Sequence, residues 1–153
     1  MKSLSVLNKL KNQNLKIAFA ESMTGGRVAS ELVKHPGASN VFDLGIVAYS
    51  VDVKEDVLGI NKEIFDIHGV VSKAVSMEMA HNVLLMAYAN VGVGVTGSAG
   101  PNAEVGSDVG EVWVTIVLRG DYHSYHFKFG ALDREEIIIK TVNAIYHLLD
   151  QLL

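Results

Sequence analysis

The sequence predicts an α/β protein, a three-layer α/β/α sandwich with a mixed sheet, built as one domain over residues 1–153. Two observations carry that expectation. Strand-length apolar runs alternate with helical apolar stripes through the first two-thirds of the chain, as in a parallel sheet with helices on both faces. A late pair of runs then flanks Arg119-Gly120-Asp121 without a helix between them, which reads as an antiparallel hairpin added to that sheet.

Leu4, Leu7 and Leu10 recur at helical spacing with lysines between them, and Asn12 to Asn14 interrupts the pattern, so a short amphipathic helix opens the chain. Residues 15–20 read as the first strand. After Gly25-Gly26, Val28, Ala29, Leu32 and Val33 form one stripe, ended by His35-Pro36-Gly37 because proline cannot continue the helical ladder. Leu44 to Ser50 is a second strand-length run, and Val51 to Leu58 starts a short helix closed by Gly59.

Ser72 is the expected N-cap of the longest helix, whose face is Ala74, Val75, Met79, Ala80, Val83 and Leu84. Val91-Gly-Val-Gly-Val95 follows as a strand in which valines pack on one face and glycines admit a helix closely on the other. Glu111 to Leu118 and Tyr122 to Phe129 form the hairpin. A helix from about residue 132 closes the chain, with Ile138, Val142, Ile145, Leu149 and Leu152 as its stripe.

Composition narrows the function classes. A formal charge of −4 without a basic run gives no electrostatic reason to expect nucleic acid or an anionic membrane as partner, so a small molecule is the expected ligand. With no cysteine, disulfides, thiolate metal sites and cysteine nucleophiles are excluded, which fits a reducing compartment. The N-terminal stretch lacks an apolar signal core, and no run approaches the roughly 18 apolar residues of a membrane span. A cytoplasmic location is therefore expected.

Four short stretches carry the candidate chemistry. In Ala20-Glu-Ser-Met-Thr-Gly-Gly26, two glycines stand at the first turn of a helix, where each costs about 1 kcal/mol relative to alanine. Two readings are open. Backbone N–H groups at this helix start receive a ligand's carbonyl or phosphate oxygen, or Ser22 or Thr24 caps the helix while the glycines turn the chain. Tyr49-Ser50 and Lys54 follow the second strand, at the same sheet end as Ser22 if the two strands run parallel. His68-Gly-Val-Val-Ser72 precedes the long helix and is a further candidate for the pocket wall. Thr96-Gly-Ser-Ala-Gly-Pro101 is a loop of small residues after the third strand, suited to lining a pocket or to turning.

Two other patterns are set aside. Gly92-Val-Gly94-Val-Thr-Gly97 matches the letters of a dinucleotide fingerprint, but its glycines lie inside a strand and no helix opens after them. The six histidines, at 35, 68, 81, 123, 126 and 147, show no metal-ligand spacing, and neither a metal nor a cofactor is expected.

Taken together and in this order, A-E-S-M-T-G-G, Tyr49-Ser50 with Lys54, H-G-V-V-S and T-G-S-A-G-P resemble the CinA C-terminal domain family over nearly the whole chain. The likeness is to its stand-alone nicotinamide-nucleotide amidases. The resemblance implies hydrolysis of nicotinamide mononucleotide to nicotinate mononucleotide and ammonia, in pyridine nucleotide salvage, with a homo-oligomer expected. Carried over by position, Ser22 is the nucleophile, Lys54 the general base, and Tyr49 a residue that orients or relays the proton. Backbone groups of Thr24, Gly25 and Gly26 are the oxyanion candidates. Thr96, Gly97, Ser98, Ala99, Gly100 and Arg134 are assigned to the nucleotide. The chain departs from the family at residues 102–111, where a glycine-rich stretch and K-P-V-G-T are replaced and serine stands for the lysine. Ile137 to Ile139 occupy the place of a second arginine, and Met23 that of a cysteine. A pyridine-nucleotide-binding regulatory module with weak catalysis is the alternative, and a purely structural role the third.

Overall fold

The computed structural model describes residues 1–153 as a five-stranded sheet between two helical layers. In chain order the elements are α1 (Ser3–Asn12), β1 (Ile17–Glu21), α2 (Arg27–Val33), β2 (Phe42–Val47), α3 (Val51–Asp56), α4 (Lys62–His68), α5 (Lys73–Ala87), β3 (Val91–Gly97), β4 (Glu111–Leu118), β5 (Asp121–Lys128) and α6 (Arg134–Leu152). A 3-10 turn at Ala38–Asn40 precedes β2. The strand order is β2-β1-β3-β4-β5. β1 pairs in parallel with β2 and β3, whereas β3–β4 and β4–β5 are antiparallel, which makes the sheet mixed as expected.

Alternation along β1 and β3 sorts the two layers by size. Ile17, Phe19, Val91, Val93 and Val95 enter one apolar core with Leu7, Leu10, Val28, Leu32, Ile145 and Leu149, from α1, α2 and α6. The opposite face presents Ala18 and Ala20, packed with Val75, Met79 and Val83 of α5. Gly92 and Gly94 share that thin face. A Cβ on either would collide with α5 backbone, at the carbonyl of Ala80 for Gly92 and of Ser76 for Gly94. The glycines of V-G-V-G-V therefore serve close helix packing, and the loss of β propensity is offset by the burial of α5. Ser72 caps α5, its Oγ accepting from the Val75 N–H at 3.2 Å.

Three differences from the sequence expectations have local causes. β2 occupies Phe42–Val47 rather than 44–50, because the Ala48 N–H makes the last bond to β1, on the Glu21 carbonyl (2.8 Å), and Ser50 then caps α3. α4 has no counterpart among the expected elements. It is a seven-residue helix capped by Asn61, whose side chain accepts from the Glu63 N–H, and anchored by buried Phe65. β1 runs on to Glu21, so the acid of A-E-S-M-T-G-G is the last residue of the strand. No helix is long and apolar enough to cross a membrane.

Parallel pairing of β1, β2 and β3 brings their carboxyl ends to one edge of the sheet. The segments leaving them diverge, α2 into the layer with α1 and α6, α3 toward the layer of α5. A crevice between diverging connections at that edge is the favoured ligand position of such sheets.

Candidate active site

Glu21 organises the turn that carries Ser22. Its carboxylate is buried and accepts three hydrogen bonds, from the Thr24 hydroxyl (2.6 Å) and the N–H groups of Val28 (2.9 Å) and Ala29 (3.0 Å). Those amides belong to the first turn of α2, whose N-cap Gly26 has no side chain to satisfy them. A carboxylate at a helix start also meets the positive end of the dipole. The cap of α2 is therefore Glu21, reaching from the end of β1, and neither Ser22 nor Thr24.

This arrangement leaves the Ser22 hydroxyl available. Its Oγ accepts a hydrogen bond from Lys54 Nζ at 3.0 Å. Lys54 lies in α3, started by the Ser50 cap, and its Nζ also donates to the Tyr49 carbonyl at 3.1 Å. The whole Lys54 side chain is sequestered, with 1% of its surface exposed. Lysine is almost never so buried without a carboxylate partner, and none contacts this one. Burial disfavours the ammonium and lowers the Lys54 pKa to about 8, against a smaller upward pull from the negative charge of Glu104.

Above Ser22 lies a pocket of about 60 Å³, walled by Met23, Tyr49, Gly97 to Gly100, Asn102, Glu104 and Arg134. Arg134, the first residue of α6, spans its rim. It donates from Nη1 to the Gly100 carbonyl and from Nη2 to the Tyr49 hydroxyl, both at 2.6 Å. The Tyr49 hydroxyl thus engages Arg134, while its main-chain carbonyl holds Lys54. Ser98 is turned toward the loop. Its Oγ accepts from the Glu104 N–H (3.0 Å) and pairs with the Ser107 hydroxyl (2.7 Å).

Of the residues singled out in the sequence, Ser22, Tyr49, Gly97, Ser98, Ala99, Gly100 and Arg134 line this pocket, with Lys54 bonded beneath it. Thr24, Gly25, Gly26 and Thr96 do not. Thr24 spends its hydroxyl on Glu21, and Thr96 donates to the Val70 carbonyl under the α4–α5 connection. Gly25 and Gly26 adopt φ of +59° and +95°, and a Cβ would meet nothing on the first and only ordinary contact on the second. Backbone conformation, rather than close approach of another group, requires glycine there. The Gly25 N–H is bonded to the Ser22 carbonyl (3.1 Å), whereas the amides of Met23, Thr24 and Gly26 have no protein acceptor. None of the six histidines, His68 included, reaches the pocket. No three His, Asp or Glu side chains gather in metal-binding geometry.

Glu21, Met23 and Glu104 were not anticipated in these positions. An acid immediately before the serine was a usable signal for Glu21, since a carboxylate near a helix start is favourable. Nothing local marks Glu104, which reaches the pocket only through the folding of an irregular loop.

The family model of the CinA C-terminal domain matches residues 2–153. The chain belongs to the CinA C-terminal domain family. A protein of Bacillus subtilis (strain 168) named for competence-damage inducibility is 40% identical over 129 residues, covering 83% of this chain and 30% of the relative. A like-named protein of Geobacillus kaustophilus (strain HTA426) is 38% identical over 135 residues, 88% of this chain and 33% of its own. The chain thus spans about a third of the length of these curated relatives. Solved CinA-type structures match nearly end to end. The competence/damage inducible protein CihA of Agrobacterium tumefaciens superposes with TM-score 0.92 at 34% identity, covering 96% of this chain and 90% of that one. Competence damage-inducible protein A of Klebsiella pneumoniae gives 0.94 at 29% identity, with 97% and 92% covered. The α/β architecture is therefore that of the CinA proteins.

Proposed function

We propose that this CinA domain is an amidohydrolase that converts nicotinamide mononucleotide to nicotinate mononucleotide and ammonia, with Ser22 as nucleophile and Lys54 as general base. The observation that carries the reading is the 3.0 Å contact between Lys54 Nζ and Ser22 Oγ, with the amine buried and its pKa lowered to about 8. A lysine near its ordinary pKa is a poor base at neutral pH, and desolvation is a known means of correcting that.

In the neutral amine one N–H stays on the Tyr49 carbonyl and the lone pair faces Ser22. Ser22 Oγ attacks the carboxamide carbon as its proton passes to Lys54 Nζ. The resulting oxyanion needs donors, and the N–H groups of Met23 and Thr24, next to Ser22 and without a protein acceptor, are the candidates. One such donor is worth about 3 kcal/mol in the transition state. Collapse of the tetrahedral intermediate breaks the C–N bond, and Lys54 returns its proton to the leaving nitrogen, which departs as ammonia. Water then attacks the acyl ester as Lys54 accepts one of its protons, collapse breaks the C–O bond to Ser22, whose oxygen takes that proton back from Lys54, and the acid leaves, ionising to the carboxylate. Arg134 serves the anionic end of the nucleotide. Tyr49 holds Arg134 with its hydroxyl and Lys54 with its carbonyl.

The pocket volume of about 60 Å³ compares with roughly 300–1,000 Å³ for sites that enclose a whole ligand. It suits entry of the amide end alone, with ribose and phosphate across the rim. That small volume, with the altered loop 102–111, also favours the second reading, a pyridine-nucleotide-binding regulatory module with weak catalysis. Ammonia release from nicotinamide mononucleotide separates the two. Release by the wild type that disappears in Ser22→Ala and Lys54→Met supports the amidase, and tight binding without release above those variants supports the module.

A further inference from the structure

Glu104 is the one pocket residue whose charge opposes the chemistry proposed for Lys54. Its backbone is fixed at both ends. The N–H donates to Ser98 Oγ (3.0 Å), and the carbonyl accepts from the Ser107 hydroxyl (2.8 Å), itself paired with Ser98. Two serine side chains thus pin a short turn inside an otherwise irregular loop, Pro101–Gly110. The Glu104 side chain is exposed, has no hydrogen bond and no ion pair, and shares the pocket wall with Ser22. Its field reaches Lys54 and favours the ammonium.

An unpaired carboxylate on the wall of a small polar pocket attracts positive charge. The other ionic wall residue, Arg134, is held on the Gly100 carbonyl and the Tyr49 hydroxyl and forms no ion pair with Glu104. We propose that Glu104 is a specificity-determining residue that makes this pocket take carboxamides whose ring carries a positive charge in preference to neutral ones. This rests on the amidase reading of the same site. A cationic ring against Glu104 offsets the field by which Glu104 favours the Lys54 ammonium, so the correct substrate also favours the neutral base. A neutral amide leaves that field in place.

The test is a binding comparison on the full chain, by calorimetry, of the 1-methylnicotinamide cation and neutral nicotinamide. These share the ring and the carboxamide. The wild type is expected to prefer the cation by about tenfold, and Glu104→Gln, which keeps the backbone ties and the side-chain size, to bring the two within about twofold. Asp108→Asn removes an equal charge from the same loop away from the pocket and is expected to preserve the preference. An unchanged preference in Glu104→Gln, an equal loss in Asp108→Asn, or no measurable binding of the cation to the wild type overturns the proposal. Ammonia release is followed separately with nicotinamide mononucleotide. Charge-selective binding without any release refutes the amidase reading and leaves the selectivity of Glu104 standing.

Discussion

Lys54 Nζ donates to Ser22 Oγ across 3.0 Å from a side chain that is 1% exposed, so an amine and a hydroxyl meet where water is largely excluded. Loss of one proton from Lys54 turns this contact from a lysine donating to serine into a serine donating to lysine. That switch is the step the proposed chemistry requires, and it has consequences for pH, for stability and for the neighbouring residues.

Activity should rise with pH through a single limb near the Lys54 pKa of about 8, since only the neutral amine can accept the serine proton. At pH 7 about a tenth of the free enzyme is competent on that value. Removing the negative charge in Glu104→Gln takes away an upward pull, so the limb should move to lower pH. A kcat/KM profile for ammonia release in both proteins measures it, and a limb that stays put or moves upward contradicts the assignment.

Lys54→Met should abolish activity and yet stabilise the fold. The lowered pKa means that burial penalises the charged lysine. Its stabilising contribution is full only above the unfolded value of 10.5 and is lost as pH falls toward about 8. Methionine carries no such penalty at any pH. A gain of about 1 kcal/mol at pH 7, or a Tm higher by roughly 3 °C, is expected. The advantage should shrink as pH approaches 10.5. Thermal unfolding across that range decides it.

Tyr49→Phe should be mild. The variant retains the main-chain carbonyl that holds Lys54 and loses only the hydroxyl partner of Arg134. A KM raised several-fold with kcat within about threefold is expected, whereas a tyrosine acting in proton transfer would cost at least about 100-fold in kcat.

Glu21→Ala should unfold the nucleophile turn first. It strands the Thr24 hydroxyl and two amides of α2 in a buried setting, at a cost of about 2–4 kcal/mol. Glu21→Gln keeps an acceptor and should cost less. Urea midpoints of the two variants against the wild type provide the comparison.

Periodicity and punctuation made most of the fold legible. Period-2 valines and alanines mark strands, Ser72 announces α5, and the glycines of V-G-V-G-V predict a helix packed close above them, because all of these are effects of near neighbours along the chain. The seven residues of α4 were missed since a helix that short has little stripe to read. Ser22, Lys54 and Arg134 were legible as members of a family pattern rather than from their local physics, in which each is an ordinary surface-type residue.

What the sequence determined by itself is thus the α/β class, the core-facing stripes and the set of polar residues that end the parallel strands. Only the tertiary structure decided which of those polar residues do structural work. Glu21 and Thr24 stand beside Ser22 in the chain, yet Glu21 turns inward to cap α2 and Thr24 donates its hydroxyl to Glu21, while Glu104, more than 80 residues away by number, comes to the pocket. Hydrogen-bond partners and desolvation are properties of the packed molecule, and neither is written in the spacing of residues along a strand or helix.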